Sequence, residues 1–519
     1  MWKHVRLRTL GVPVSISVLS AIVFAQPKSA PFKPAIPKTW DERALADWAT
    51  PVAGLNVRPG HFSEEAYYRA PLDNYRTYPV YPYGREPEGY WDMLQKVGPQ
   101  PLIEVAKLKT EADWIEAGKQ VFEQCDHITQ RIYDPDLIAI LRSPENSRST
   151  ASGLITPFRW VPTEKGIALG RSNCGSCHTR YGPQGKRLNG PSILNEGSRD
   201  PADRAAGVAV ARRLGSGPFV SGSDRIANAP ISMMETLGMR FYRAYGVPWI
   251  KDDIHEHLKE LSPEVLEGMG GGFVPRNPVF PRWNGSPYYP TKIPDLIGVK
   301  DRKYLDATGT HLNRGIADLM RYAALVSFAE SSEFGPHRML TAQQNRITAR
   351  LPDEALYALS LYIHSLEPPP NPNTFDENAP AGKKIFEREG CGGCHTPGLY
   401  TNNKLTLATG FKPPSDKPST LDVLPVSVGT DPNLALKTRK GTGYYKVPSL
   451  KGIWYRGRYL HDGSLASLEE MFDPDRLKET HVAAGWNPGA KARAIAGHEF
   501  GLKLTPEEKK SLLAFLRTL

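Results

Sequence analysis

Two copies of one pentapeptide, about two hundred residues apart, constrain this chain more than any other feature. They are Cys174-Gly175-Ser176-Cys177-His178 and Cys391-Gly392-Gly393-Cys394-His395. Cys-x-x-Cys-His is the attachment sequence of c-type haem, in which both thiols bond to the porphyrin and the histidine ligates the iron. The sequence therefore predicts two covalently bound haems, attached through Cys174, Cys177, Cys391 and Cys394 and ligated by His178 and His395.

Paired cysteines have two other common uses in proteins. Cys-x-x-Cys alone is typical of a thioredoxin-like redox pair, and two such pairs can hold one structural zinc ion. Zinc ribbons place their pairs about 15 to 20 residues apart, and a thioredoxin pair has no use for a histidine after both copies. The spacing and the repeated histidine favour haem.

The first 25 residues have the pattern of a secretory signal peptide. Lys3, Arg6 and Arg8 form a basic start, residues 10–24 form an apolar stretch, and Ala25 ends a small-residue cleavage site. The alternative is an uncleaved membrane anchor, but the apolar stretch is shorter than the roughly 20 residues that a span requires. No later stretch could cross a membrane, so a periplasmic or secreted protein is expected.

The net charge of the chain limits the kinds of partner that it is expected to bind. The formal charge of +10 is spread along the chain without a basic run, so nucleic acid is not expected as a partner. The balance permits attraction to an acidic redox protein such as a small cytochrome or a cupredoxin.

Cys125, the fifth cysteine, is interpreted as a buried inert thiol, with intermolecular pairing or a reactive thiol as alternatives.

The length of 519 residues and two internal repeats divide the chain into units. Residues 117–123 recur as 381–387, a Gly-Lys helix, and residues 351–366 recur as 504–519, an amphipathic closing helix. We expect a mainly α-helical protein with two cytochrome c-like haem domains, the first enlarged by long loop insertions. The predicted organisation is a signal peptide 1–25, an extended Pro- and aromatic-rich arm 26–100, a first haem domain 101–367, a Pro-rich linker 368–378 and a second haem domain 379–519.

The first unit departs from the second in one respect. Residues 381–387 lead straight into the second haem motif, whereas residues 117–123 stand about fifty residues ahead of the first. Either an insertion separates the leading helix from its haem motif, or Lys165 to Gly170 is the true leading segment. The insertion is the favoured interpretation.

The sixth ligand of each iron decides the chemistry, because a haem ligated on both faces mainly transfers electrons and an open face can bind peroxide or dioxygen. For the second haem the preferred candidate is His498, in the loop before the closing helix, with Tyr459, His461 and Met471 as alternatives. For the first haem no histidine occurs between His178 and the pair His255 and His257. That iron is expected to be open on one side, unless a methionine fills it. Met233, Met234 and Met239 lie in the interval, where packing is the alternative to ligation, and the aromatic candidates for walls of the pocket are Phe241, Tyr242, Tyr245 and Trp249.

Residues 447–454 and 459–469, together with the two haem motifs, resemble the bacterial di-haem cytochrome c peroxidase superfamily. Gly497-His498-Glu499 is most similar to its rubber oxygenase A branch. That resemblance implies that His498 caps the second haem and that the first haem is the dioxygen site. The chain lacks the distal histidine that peroxidases of this family carry shortly after the first motif, which departs from the usual route of peroxide reduction.

The expected function is therefore that of an exported di-haem c-type cytochrome. Electrons would pass through the second haem to the first, which would reduce peroxide or activate dioxygen. The alternative is a di-haem electron carrier without catalysis, which would need a strong sixth ligand on both irons.

Overall fold

A computed structural model describes most of the chain. The described residues are 32–51, 53, 63–126, 131–144, 153–155, 158–170, 174–181, 187–191, 279–282, 286–328, 349–373, 375–417, 419–436, 441–482, 484, 492 and 494–519. The predicted signal peptide lies outside these ranges. So do His255 and His257 and the candidates for the predicted open face of the first haem, which are Met233, Met234, Met239, Phe241, Tyr242, Tyr245 and Trp249.

Short helices alternate with small sheets along the chain. The α-helices are α1 Glu42–Leu45, α2 Glu64–Arg69, α3 Tyr90–Val97, α4 Glu111–Gln124, α5 Pro135–Leu141, α6 Cys174–Cys177, α7 Ile316–Phe328, α8 Asp353–His364, α9 Ala379–Arg388, α10 Asn433–Leu436, α11 Ile453–Arg456, α12 Leu468–Met471 and α13 Pro506–Arg517. The 3-10 turns are Val105–Lys107, Val299–Asp301, Cys391–Gly393 and Pro474–Leu477.

Within the described ranges the strands form two three-stranded sheets and three hairpins. They are β1 Tyr78–Pro79, β2 Arg159–Thr163, β3 Gly166–Gly170, β4 Thr179–Tyr181, β5 Arg187–Asn189, β6 Val279–Arg282, β7 Ser286–Lys292, β8 Tyr304–Leu305, β9 His311–Leu312, β10 Leu405–Leu407, β11 Val423–Leu424 and β12 Tyr444–Lys446. One sheet has the order β1-β2-β3 and the other the order β11-β10-β12, in which β10 runs parallel to β11 and antiparallel to β12.

In the first unit the leading helix α4 packs directly on the closing helix α8. A Cβ on Gly118 would lie 1.9 Å from the carbonyl oxygen of Ala358 and 2.8 Å from Cβ of Tyr362. Only a residue without a side chain permits this approach. The contact brings the buried Val121 and Phe122 of α4 into the core.

The second unit repeats this contact with α9 and α13. A Cβ on Gly382 would lie 1.9 Å from the carbonyl oxygen of Ser511 and 2.8 Å from Cβ of Phe515. Ile385 and Phe386 fill the places that Val121 and Phe122 fill in the first unit. The leading and closing helices predicted from the repeats are therefore present in both units, paired in the same way.

An insertion separates α4 from the first haem motif. The segment from Lys165 to Gly170 forms the turn and second strand of the β2–β3 hairpin and is not helical. Helix α6, which holds Cys174 and Cys177, follows this hairpin and lies near α4. The second of the two alternatives for the leading segment is therefore wrong, because α4 occupies the position of α9.

The segment predicted as an extended arm is not extended throughout. It carries α1, α2 and α3, and it contributes buried aromatic side chains to the core of the first unit. The Trp40 and Tyr67 rings stack with centroids 4.9 Å apart, and the indole Nε1 of Trp48 donates to the carbonyl oxygen of Leu312 at 3.0 Å. The extended conformation predicted for this segment is therefore wrong at these three helices, while its dense aromatic rings are buried in the core.

Two main cores follow from this arrangement. The larger one joins α4, α7 and α8 with the aromatic residues of the arm, and it also takes in Leu405, Leu421 and Tyr444 of the later part of the chain. The smaller one lies between α9 and α13 and includes Leu465, Leu468 and Met471. In the part of the chain that the structure describes, no helix has the length and apolar character of a membrane span.

Candidate functional site

The second Cys-x-x-Cys-His motif begins directly after α9. Gly390, in a left-handed conformation with φ 77°, ends the helix and starts the tight turn Cys391–Gly393. The backbone N–H of His395 donates to the carbonyl oxygen of Cys391 at 2.8 Å, which closes one helical turn around the motif. Burial raises the pKa of Cys391 to about 11, so this sulfur is a neutral thiol in the polypeptide at neutral pH.

His395 is held in one orientation by its main-chain neighbours. The side chain is 8% exposed, and its Nδ1 lies 3.1 Å from the carbonyl oxygen of Tyr400. Burial lowers the pKa of His395, opposed by the carbonyl groups of Tyr400 and Pro448. Because a carbonyl can only accept, Nδ1 carries the proton and Nε2 keeps its lone pair, which is the form of histidine that ligates metals.

His498 faces His395 across a cavity. The two imidazole centroids lie 6.3 Å apart and the ring planes make an angle of 59°. Burial lowers the pKa of His498 to about 4, with smaller contributions from His395 and Arg476, so this ring is neutral. Its Nδ1 is buried without a hydrogen-bond partner among the described residues.

The loop that carries His498 follows a strained path. His498 has φ +50°, uncommon for a residue with a side chain, and its N–H donates to the carbonyl oxygen of Val428 at 2.6 Å. A Cβ on Gly497 would lie 2.2 Å from the carbonyl carbon of Gly429. The close crossing of these two backbone segments sets the position of the histidine, and strain of this kind clusters at functional sites.

Arg476 holds the same loop from inside the protein. Its side chain is 0% exposed, and its guanidinium donates to the carbonyl oxygens of Ile495, Gly497 and His498, the last two at 2.9 and 3.0 Å. Its Nε donates to the carbonyl oxygen of Met471 at 3.1 Å. Three of these acceptors lie in the segment 495–498, so this one buried cation links the histidine loop to the end of α12.

The cavity between the two histidines has a volume of about 300 Å³, within the range of cofactor pockets. Cys391, Cys394, His395 and His498 all line it. One part of the wall is apolar and includes Phe386, Leu468, Phe472, Leu512 and Leu516. Another part is cationic and includes Lys292, Arg302, Lys446 and Arg456. An amphipathic cofactor with an apolar body and anionic groups fits such a lining.

The other candidates for the sixth ligand also line the cavity, but their side chains have other contacts. The His461 ring stacks on Tyr445 with centroids 4.4 Å apart, and its Nε2 lies 3.3 Å from the Tyr445 hydroxyl. The Tyr459 hydroxyl donates to the carbonyl oxygen of Ile453 at 3.1 Å. Met471 belongs to the smaller apolar core. His498 is the candidate whose ring faces His395.

The first motif has the same local geometry. Cys174 and Cys177 bound the single turn of α6, and the backbone N–H of His178 donates to the carbonyl oxygen of Cys174 at 3.0 Å. Burial lowers the pKa of His178 to about 4, so the ring is neutral. The carbonyl of Pro294 opposes this shift, although Nδ1 of His178 has no partner at strict hydrogen-bond geometry among the described residues.

Cys125 lies at the end of α4, beside the first motif. Its Sγ donates to the carbonyl oxygen of Asp126 at 3.5 Å, and both Cys125 and Cys174 pack against the larger core. Burial raises the pKa of Cys125 well above its ordinary value, which disfavours the nucleophilic thiolate. The position supports the interpretation of an inert thiol.

No protein-family model matches the chain. The chain is locally similar to a cytochrome-c peroxidase. That enzyme, from Denitromonas iodatirespirans, is 32% identical over 83 residues, which are 16% of this chain and 19% of the peroxidase. The match therefore spans less than a fifth of that relative.

Two solved structures share 20% sequence identity with the chain. A MauG-like protein associated with microbial copper homeostasis matches 44% of this chain and 73% of its own length, with a TM-score of 0.27. The hydrazine synthase of Kuenenia stuttgartiensis matches 33% and 56%, with a TM-score of 0.20. Both TM-scores are too low for a common fold to follow from them.

A third internal repeat contains the cationic residues of the cavity, and the predictions from the sequence did not include it. Lys292-Ile293-Pro294-Asp295-Leu296 corresponds to Lys446-Val447-Pro448-Ser449-Leu450, and at the same spacing Gly298 matches Gly452 and Arg302 matches Arg456. Both glycines are left-handed and start a short helical turn. Comparing the chain with itself across 290–305 and 444–460 would have found this repeat.

Proposed function

We propose that the chain is a di-haem c-type cytochrome in which the second haem transfers electrons and the first is the catalytic centre. The observation that carries the proposal is the pair His395 and His498, which face each other beside Cys391 and Cys394. Burial lowers the pKa of both imidazoles, so each would offer a neutral ring nitrogen to the iron of a haem held between them. The centroids lie 6.3 Å apart.

The lining of the cavity supports haem over zinc or a redox dithiol. Apolar side chains would cover the porphyrin faces, and the two cysteines lie one turn apart beside an axial histidine. Among the residues that the structure describes, no three His, Cys, Asp or Glu side chains are grouped to hold a metal ion by themselves. Haem supplies its own four equatorial nitrogens, so a pair of histidines is a sufficient ligand set.

The two sites would differ in their sixth ligands. His498 would complete the second haem, and such a site mainly transfers electrons. His178 would ligate the first haem, and the segment that follows it in sequence has no histidine before His255. An open face at the first haem would bind peroxide or dioxygen. The local similarity to a cytochrome-c peroxidase supports a redox reaction of this class.

The protein would act on the haems by ligation, orientation and exclusion of water, while bound haem supplies the redox chemistry. Reduction of peroxide to two waters consumes two electrons and two protons. The electrons would come from a small cytochrome or a cupredoxin and pass through the second haem. The predicted signal peptide supports a periplasmic or secreted location, with a mature chain that begins at Gln26.

Optical and electron paramagnetic resonance spectra of the holoprotein test this proposal. In the ferric protein we expect one low-spin and one high-spin haem, and after reduction we expect carbon monoxide to bind to one haem. Two low-spin haems that do not bind carbon monoxide would contradict the catalytic assignment and favour an electron carrier. Absence of covalently bound haem would contradict the proposal as a whole.

A further inference from the structure

Four cations line the polar part of the cavity, and each unit contributes one lysine and one arginine. Lys292 and Arg302 come from the first copy of the third repeat, and Lys446 and Arg456 come from the second. The side chains of Arg302 and Arg456 are each 14% exposed. Both lysines are half-buried. Equivalent residues from two units thus meet at one place.

This cluster carries more positive than negative charge. Among the described residues that line the cavity, Asp295 is the only carboxylate. Its Oδ1 lies 3.9 Å from Arg302 Nη2 and its Oδ2 lies 3.7 Å from Arg456 Nε. One carboxylate therefore serves two arginines, and both lysines remain. Buried charges are normally paired, so the cluster requires further anions.

The remaining contacts orient the four cations without neutralising them. Lys292 Nζ donates to the carbonyl oxygen of Arg458 at 2.9 Å, and Lys446 Nζ lies 3.4 Å from the carbonyl oxygen of Tyr304. Arg302 donates to the carbonyl oxygen of Ile297 at 2.7 Å. Arg456 donates to the carbonyl oxygen of Ser449 at 2.5 Å. Main-chain carbonyls hold the side chains in place and leave their net charge unbalanced.

Mutual repulsion in the cluster is visible in the pKa values. Burial lowers the pKa of Lys446 to about 7, and Arg302, Arg456 and Lys292 lower it further against the opposing effect of Asp306. Burial also lowers the pKa of Lys292 to about 8. Burial and the neighbouring cations thus outweigh Asp295 and Asp306, and a bound anion would favour the charged forms of both lysines.

The cluster also lies beside the segment that follows the first haem motif. Arg180, two residues after His178, donates to the carbonyl oxygens of Tyr455 and Arg456, the latter at 2.7 Å. The repeat also places Pro294 and Pro448 alike, since the carbonyl of each opposes the lowered pKa of the histidine in its own unit, His178 or His395. Each lysine and arginine pair therefore has the same spacing to a proline whose carbonyl acts on the histidine of one haem motif.

We infer that Lys292, Arg302, Lys446 and Arg456 form one shared binding site for the propionate carboxylates of both haems. The inference rests on the proposed function. Each haem carries two propionates at one edge of the porphyrin, and bidentate arginine and lysine are suited to carboxylates. Such a site would bring the propionate groups of both haems to one cluster of positive charge.

Reduction potentials of the two haems test the inference, since a cation near a haem disfavours the ferric form and raises its potential. We expect Lys446→Gln and Lys292→Gln each to lower both potentials, measured by spectroelectrochemical titration. Lys446→Arg, which keeps the charge, should leave both at the wild-type values. Lys451→Gln removes an exposed cation from the same segment as Lys446 and serves as the matched control.

Three results would overturn the inference. One is a shift of a single potential in each variant, which would assign each lysine to one haem. The second is unchanged potentials in Lys446→Gln and Lys292→Gln. The third is wild-type potentials that depend on phosphate concentration, which would show that the cluster holds an exchangeable anion.

The test still gives an answer if one variant fails to fold. Failure of this inference can also be distinguished from failure of the proposed function. If Lys446→Gln does not accumulate, Lys446→Arg must still match the wild type and Lys292→Gln must still lower both potentials. Haem content is determined first, by the pyridine haemochrome spectrum. Fewer than two haems in the wild type would contradict the proposed function, whereas two haems with unresponsive potentials would contradict this inference alone.

Discussion

The guanidinium of Arg476 donates a hydrogen bond of 3.0 Å to the carbonyl oxygen of His498. The same side chain also donates to the carbonyls of Ile495 and Gly497, and no part of it is exposed. A buried guanidinium shared among carbonyls of one loop restricts the movement of that loop. The residue that would act as sixth ligand therefore depends on an arginine 22 positions earlier in the chain.

Replacing Arg476 should weaken the binding of His498, the proposed ligand, under conditions in which the protein is still folded. We expect Arg476→Gln to lower the free energy of unfolding by about 3 kcal/mol, because several carbonyls lose a charged donor. The second haem should acquire a high-spin fraction that grows on warming, read from the optical spectrum, and Arg476→Lys should restore part of the low-spin form. Arg388→Gln, at a half-exposed arginine on α9, is the control and should change neither property. A fully low-spin Arg476→Gln protein would contradict the positioning role.

Removing His498 itself should open the second haem. In His498→Ala we expect the low-spin ferric signal to be replaced by a second high-spin signal, and carbon monoxide to bind to both reduced haems. His461→Ala is the matched control, since His461 lines the same cavity but stacks on Tyr445. If the control lost the low-spin signal and His498→Ala kept it, the ligand assignment would have to move to His461.

The two close helix contacts predict matched effects of a single methyl group. Gly118→Ala and Gly382→Ala would each place a Cβ 1.9 Å from a carbonyl oxygen of the closing helix. We expect each to lower the free energy of unfolding by about 1–3 kcal/mol or more, because the helices must separate. Gly393→Ala, where nothing lies within 4 Å of the added Cβ, is the control. Thermal unfolding followed by far-UV circular dichroism measures all three, and equal stabilities would contradict the packing argument.

The haem motifs and the four paired helices could be predicted from the sequence because their signals are local. A Cys-x-x-Cys-His motif and a 3.6-residue apolar period need no knowledge of the fold. The placement of Arg476 could not be predicted, since its acceptors are main-chain carbonyls and carry no side-chain signature. The burial of Trp48 in the first core also depends on a partner, Leu312, that is 264 residues away.

A buried ion cluster joins the arm to the segment between α4 and α5 and gives a prediction about stability alone. Arg131 donates to Asp73 at 2.7 and 2.8 Å and to Asp126 at 2.8 and 2.9 Å, with its side chain 6% exposed. Arg131→Met should lower the free energy of unfolding by about 3–5 kcal/mol, because two carboxylates lose their counter-ion. Arg69→Met, at an exposed ion pair with Glu65, should change it by less than about 1 kcal/mol. Urea unfolding of both variants checks the difference, and equal midpoints would contradict it.

Haem stoichiometry distinguishes the four motif cysteines from Cys125. Each haem needs its pair of thiols, so Cys174→Ala with Cys177→Ala should leave one covalent haem, and so should Cys391→Ala with Cys394→Ala. Cys125→Ala should keep two, because Cys125 is partly buried against the larger core and lies outside both motifs. Intact mass and haem staining after denaturing electrophoresis count the covalent haems. Loss of a haem in Cys125→Ala would instead make this thiol part of the first haem site and contradict its assignment as inert.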